Sequence, residues 1–208
     1  MKTDGLLLIG PTGSGKTPLG LYMEQNGLWG RRCAHFDFGG ILRSLDRDPH
    51  TFPELKEDAV QVVRESLRTG ALLENETFYI AEHLLSVFIR TRPWTERSLL
   101  VLNGLPRHIE QAGDLARTVQ VRAVVSLLCP AETVFVRIRE NTGGDRTGRT
   151  DDSLSAVQHK WMIYEQRARP LLDYYRKKNI PVIEIEVTPD TNPGRIVFFL
   201  ESQKPMGM

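Results

Sequence analysis

Eight residues, Gly10-Pro11-Thr12-Gly13-Ser14-Gly15-Lys16-Thr17, constrain this chain more than any other stretch. They follow a short apolar run, residues 6–9, that reads as a buried strand. They precede residues 19–25, which can continue as a helix. Strand, glycine-rich turn and helix in that order make Gly-x4-Gly-Lys-Thr a phosphate-binding loop. Gly10, Gly13 and Gly15 let the backbone curl so that successive N–H groups face an anion. The helix N-terminus adds unpaired N–H groups and partial positive charge. In such a loop Lys16 reaches the β- and γ-phosphates and the Thr17 hydroxyl faces Mg²⁺. Pro18 falls in the first helical turn, where its missing N–H costs nothing. The loop predicts a nucleotide or another phosphorylated ligand.

At 208 residues the chain can bury a real core as one domain with small inserts. Lysine and arginine total 27 against 26 acids, so no global field attracts nucleic acid. Any anion site must come from arginines gathered locally. Cys33 and Cys129 form no Cys-x-x-Cys pair, which suggests neither a disulfide framework nor a zinc site and fits a reducing cytoplasm. Residues 1–5 lead into only four apolar residues, too short for a signal peptide, and no run approaches membrane-spanning length. The expectation is a cytoplasmic monomer without nucleic-acid or membrane partners.

Further strands are predicted at residues 33–38, 98–102, 123–128 and 180–187. Residues 39–40 read as a turn into 41–45, and 46–52 as a loop. Helices are predicted from Pro53 to Gly70, with acids early where the dipole favours them, from an Asn75 cap to Pro93, around 111–119, and from Pro130 to Ile138. Residues 141–149 contain no apolar side chain and read as a surface loop. The longest helical pattern runs through Leu154, Val157, Trp161, Tyr164, Ala168, Leu171 and Tyr175, with Pro170 expected to kink or divide it. A final helix is expected at 194–201. Strands alternating with helices imply an α/β fold, a parallel sheet with helices on both faces. Ligands on such sheets bind beyond the carboxyl ends of the strands, where the Gly10 and Asn103 loops lie.

Five segments then occur in a telling order. Gly39-Gly40-Ile41-Leu42-Arg43 resembles Thr-Gly-Asp-x-Leu-Arg, and Gly70-Ala71-Leu72-Leu73-Glu74-Asn75-Glu76 resembles Gly-x-Leu-Val-Pro-Asp-Glu. Asn103-Gly104-Leu105-Pro106-Arg107, with Gln111 after it, resembles Asp-Gly-Phe-Pro-Arg followed by a glutamine. Gly148-Arg149-Thr150-Asp151-Asp152 matches Gly-Arg-x-Asp-Asp, and Arg169-Pro170-Leu171-Leu172-Asp173-Tyr174-Tyr175 matches a late proline-tyrosine segment. These are motifs of the adenylate kinases and their nucleoside monophosphate kinase relatives, which the chain resembles over nearly its whole length.

The resemblance implies a single P-loop kinase domain: core 1–37, 74–138 and 151–208, a helical monophosphate-binding insert at 38–73, and a short lid at 139–150. It implies ATP-dependent phosphoryl transfer to a nucleoside monophosphate, AMP first among them, with Mg²⁺ as cofactor. ATP would be held by Gly13, Ser14, Gly15, Lys16 and Thr17, with Arg137 against its base and Asn192 in the turn bordering it. Phe38, Gly39, Arg43, Leu73, Gly104, Arg107 and Gln111 would receive the monophosphate. Lys16, Arg107, Arg149 and Lys160 would neutralise the transferring phosphoryl, Asp151 and Asp152 would orient lid arginines, and Thr17 with Asn103, through water, would face the metal.

The chain departs from the family pattern around that site. Phe38 replaces a threonine, Gly40 an aspartate, Asn103 the aspartate that holds metal-bound waters, Asn141 a lid arginine, and Lys160 an arginine. Asp37 is an alternative source of the acid missing at Asn103, and Arg139 or Arg146 of the cation missing at Asn141. A rival reading is a nucleotide-binding switch of the same fold with little turnover; a third is a P-loop kinase for another small acceptor.

Overall fold

The computed structural model describes residues 2–147 and 153–205. Five parallel strands form one sheet: β1 (Thr3–Ile9), β2 (Arg32–Asp37), β3 (Ser98–Asn103), β4 (Val119–Leu128) and β5 (Val182–Glu186), in the order β2-β3-β1-β4-β5. Side-chain alternation along a strand divides the core between the two faces. Leu7, Ile9, Leu100 and Leu102 belong to one apolar cluster, while Leu6, Leu8, Leu99 and Val101 belong to the other. Continuous apolar runs, rather than alternating ones, are what a sheet covered on both faces requires.

Helices α1 (Lys16–Asn26), α6 (Ala131–Arg139) and α9 (Pro193–Ser202) supply Leu19, Met23, Val134, Ile196 and Leu200 to the second cluster. On the other face lie α2 (Phe38–Arg47), α3 (Glu57–Thr69), α4 (Phe78–Arg90), α5 (Ile109–Leu115) and α8 (Leu171–Lys177). The segment 38–73 shares its apolar cluster with the sheet: Phe38, Leu42, Leu45, Val60 and Val63 pack with Phe36 and Leu102. Among the described residues no helix is long and apolar enough to cross a membrane.

Several local expectations are corrected. Phe38 is not the end of a strand but the first residue of α2, because the Asp37 carboxylate accepts the Gly40 N–H and caps the helix. Gly39 and Gly40 are accordingly helical. Helix α3 starts at Glu57 rather than Pro53, since Leu55 N–H turns back to the Phe52 carbonyl. Asn75 opens a 3-10 turn and its amide reaches Glu110 Oε2 (3.1 Å) instead of capping α4. Val119 belongs to β4, not to the preceding helix. The long pattern from residue 154 is divided, as Pro170 requires: α7 (Leu154–Ile163), a π-helical segment (Tyr164–Ala168), then α8.

Candidate active site

The phosphate loop leaves the carboxyl end of β1 with its backbone shaped as the glycines allow. Gly13 and Gly15 adopt left-handed conformations, φ 76° and 98°. A Cβ at Gly10 would lie 2.7 Å from Ser14 Oγ and 3.0 Å from the Leu127 carbonyl oxygen, so the loop closes there only around glycine. Lys16 Nζ donates to the carbonyls of Gly10 (2.6 Å) and Pro11 (2.7 Å). Half-buried against the loop, its ammonium is pulled down to about 7 by lost solvation first, then by the charges of Arg146 and Arg107, with Asp37 and Asp145 opposing. Ser14 is 1% exposed and its hydroxyl has no hydrogen-bond partner among the described residues.

One cleft brings these residues together with groups from four other regions. Its lining includes Gly13, Gly15, Lys16 and Thr17 of the loop, Phe38, Gly39 and Arg43 of α2, Asn103, Gly104 and Arg107 after β3, Asp145 and Arg146, and Lys160 of α7. Burial lowers the proton affinity of Arg107; Asp37 opposes that shift, and the like charge of Arg43 adds to it. The π-helical segment contributes Tyr164 and Ala168 to the same wall.

Other expected residues stand around the cleft. Gln111, 1% exposed, accepts from the Arg107 N–H (2.8 Å) and donates to the Leu73 carbonyl (2.7 Å). It therefore ties the end of segment 38–73 to the loop after β3. Arg137 donates to four carbonyls, those of Gly13 (3.2 Å), Thr188 (2.8 Å), Pro189 (3.0 Å) and Thr191 (3.1 Å). This fastens the phosphate loop to the turn before α9, where the Asn192 side chain accepts from Arg195 N–H and caps the helix. Phe38 borders the cleft, but its ring is 2% exposed and stacks on Phe36 with centroids 6.0 Å apart. It offers a base little surface. Arg149, Asp151 and Asp152 lie outside the described residues.

Residues outside the expected site set also enter the geometry. Arg146 is inserted toward the phosphate loop, its Nη2 donating to Thr12 Oγ1 (3.1 Å), while Asn141 Oδ1 accepts the Arg146 N–H (3.0 Å). Arg139 instead lies exposed beside Glu140. Asp37 Oδ2 accepts from the Thr17 hydroxyl (3.1 Å), which in turn accepts from Asn103 Nδ2 (3.0 Å). The buried His35 ring lies 3.5 Å from that amide, and only the missing Cβ of Gly20 leaves room for it. An acid directly before a helix start is the sequence signal that could have placed Asp37.

The Thr17 and Asp37 oxygens suit a hard cation, yet among the described residues no group of three or more His, Cys, Asp and Glu could hold a metal. A cation here would arrive with phosphates and keep several waters.

No family model matches the chain. An adenylate kinase of Encephalitozoon cuniculi is 29% identical over 180 residues, covering 85% of this chain and 86% of that kinase. An adenylate kinase of Prochlorococcus marinus is 26% identical over 183 residues, with the same two coverages. Among solved structures, a gluconokinase from Sinorhizobium meliloti 1021 superposes with a TM-score of 0.53 at 13% identity, covering 96% of this chain and 90% of that one. That likeness concerns the fold, the strand order 2-3-1-4-5 of P-loop kinases. The chain is a distant homologue of the adenylate kinases, built on the P-loop kinase fold.

Proposed function

We propose that this chain is a nucleoside monophosphate kinase, transferring the terminal phosphoryl group of ATP to AMP. The observation that carries this reading is the cleft, where Lys16, Arg43, Arg107, Arg146 and Lys160 line one space with the phosphate loop. Phosphoryl transfer asks little covalent chemistry of a protein; it asks for alignment and for positive charge around the moving group. Arg43 and Arg107, on the side away from the loop, suit an acceptor phosphate. A monophosphate oxygen is already anionic, so no general base is needed.

The parts divide as follows. The loop N–H groups and Lys16 hold the β- and γ-phosphates of ATP. Arg137 and the turn carrying Asn192 bound its base. Arg146 and Lys160 close on the transferring group from the lid side, joined by Arg149. Gln111 keeps the acceptor wall in register through the Arg107 N–H and the Leu73 carbonyl. Mg²⁺ bound with ATP would be held at Thr17 and would neutralise phosphate charge.

The test uses purified chain, ATP and Mg²⁺, offered AMP, CMP, UMP, GMP or no acceptor, with products resolved. The reading expects ADP to form fastest with AMP and scarcely without an acceptor. ATP binding with no diphosphate product from any monophosphate would replace it with the binding-switch reading.

A further inference from the structure

We propose that Asp37 supplies the carboxylate that holds the waters of the divalent cation accompanying ATP, a task Asn103 cannot perform. The inference rests on the nucleotide kinase reading above. It starts from the register of the sheet, which sets Asp37 and Asn103 directly opposite each other at the carboxyl ends of β2 and β3. Both side chains meet the Thr17 hydroxyl, from opposite chemical directions. Asn103 donates an N–H to the oxygen, and the hydroxyl donates its one hydrogen to Asp37 Oδ2. That leaves one Thr17 lone pair for a cation. Water bound to a cation can only donate. The Asn103 group facing Thr17 is itself a donor and also lies 3.5 Å from the His35 ring, so that NH₂ offers such water no acceptor and leaves only one neutral carbonyl oxygen. Asp37 offers the remaining lone pairs of two charged oxygens.

The carboxylate is held in place for this. Its Oδ1 accepts the Gly40 N–H at 3.1 Å, and Oδ2 is fixed by Thr17. A Cβ at Gly40 would lie 3.0 Å from Oδ2 and 3.1 Å from Cγ, so a side chain there would crowd the carboxylate and shift it by a few tenths of an ångström. The differences from the family pattern at Gly40 and Asn103 thus fit an acid supplied by Asp37 from the adjacent strand end. The other carboxylate in the described cleft lining, Asp145, lies beside Arg146 at 3.8 Å. Asp37 is also near enough to raise the proton affinity of both Lys16 and Arg107.

The experiment is calorimetric titration of the full chain with ATP, in Mg²⁺ and in a chelator, so that the readout is binding and not turnover. The parent should bind ATP more tightly with Mg²⁺. In Asp37→Asn, which keeps a helix-capping side chain, that Mg²⁺ enhancement should fall by roughly ten- to a hundredfold, with chelator affinity unchanged or improved. The exchange Asp37→Asn with Asn103→Asp should restore most of it, which also excludes misfolding as the cause. An Asp37→Asn variant with the parent's Mg²⁺ enhancement overturns the proposal, even if turnover is lost, since that pattern belongs to a base acting on a hydroxyl acceptor. A parent that binds no ATP in either condition removes the kinase reading and this proposal with it.

Discussion

The two walls of the cleft are built by different means. The phosphate-loop wall is eight consecutive residues whose contacts are mostly to backbone: Lys16 to two loop carbonyls, and Arg137 to four carbonyls including that of Gly13. The facing wall is assembled from β2, α2 and the loop after β3, and its work is done by side chains, Asp37, Arg43, Asn103 and Arg107. A backbone site fixes its own sequence, because only glycine reaches φ 98° without strain. A side-chain site needs only that charge arrive at a point in space, so neighbouring positions can exchange duties. Arg146 beside Thr12, with Asn141 bracing its backbone, likewise brings a charge to the loop by a side chain from a distant segment.

The largest effect should come from the backbone-built wall. Lys16→Ala leaves the glycine loop intact but removes the cation at the phosphates, and one preorganised contact of this kind contributes about 2.7–4 kcal/mol. Turnover should fall by at least ~10²-fold with the melting curve retained. Turnover equal to the parent's would remove the loop from the chemistry.

The facing wall should respond first in stability. Gln111→Leu keeps bulk but strips the Arg107 N–H and the Leu73 carbonyl of their buried partner. Urea unfolding should show a loss of about 1–3 kcal/mol, and KM for the monophosphate should rise more than KM for ATP. Equal rises in both constants would mean that Gln111 does not belong to one wall.

A smaller effect separates the walls by pH. With its folded value near 7 and its ordinary value 10.5, Lys16 binds fewer protons folded than unfolded across that window. Raising pH through it therefore stabilises the empty chain, while ATP affinity weakens by at most about tenfold per pH unit. Binding in two buffers of different ionisation enthalpy should reveal a fraction of a proton taken up with ATP. Uptake that persists in Lys16→Ala would assign the proton to another group.

What the sequence revealed follows the same division. The loop, the apolar strands and the Pro170 break were legible because each is written in neighbouring residues. From sequence Asp37 reads only as an alternative acid: with Phe38 in a strand, the carboxylate has no helix to cap. Its pairing with Thr17 depends on the β2–β3 register, which no local pattern encodes. Arg137 shows another case: the resemblance sets it against a nucleotide base, whereas the carbonyl it meets in the phosphate loop and the three it meets in a turn some fifty residues away emerge only from the fold.

The central claim is that both walls serve one reaction between two nucleotides. Its most direct test is calorimetric titration with two adenosines joined by five phosphates, a molecule long enough to engage both walls at once. The account predicts one molecule bound per chain, at least ~10²-fold more tightly than ATP, because linking two sites adds their affinities without a second loss of freedom. In Arg107→Ala that advantage should collapse while ATP affinity changes little. A parent chain that binds the linked molecule no better than ATP would contradict the claim and leave the facing wall without a nucleotide.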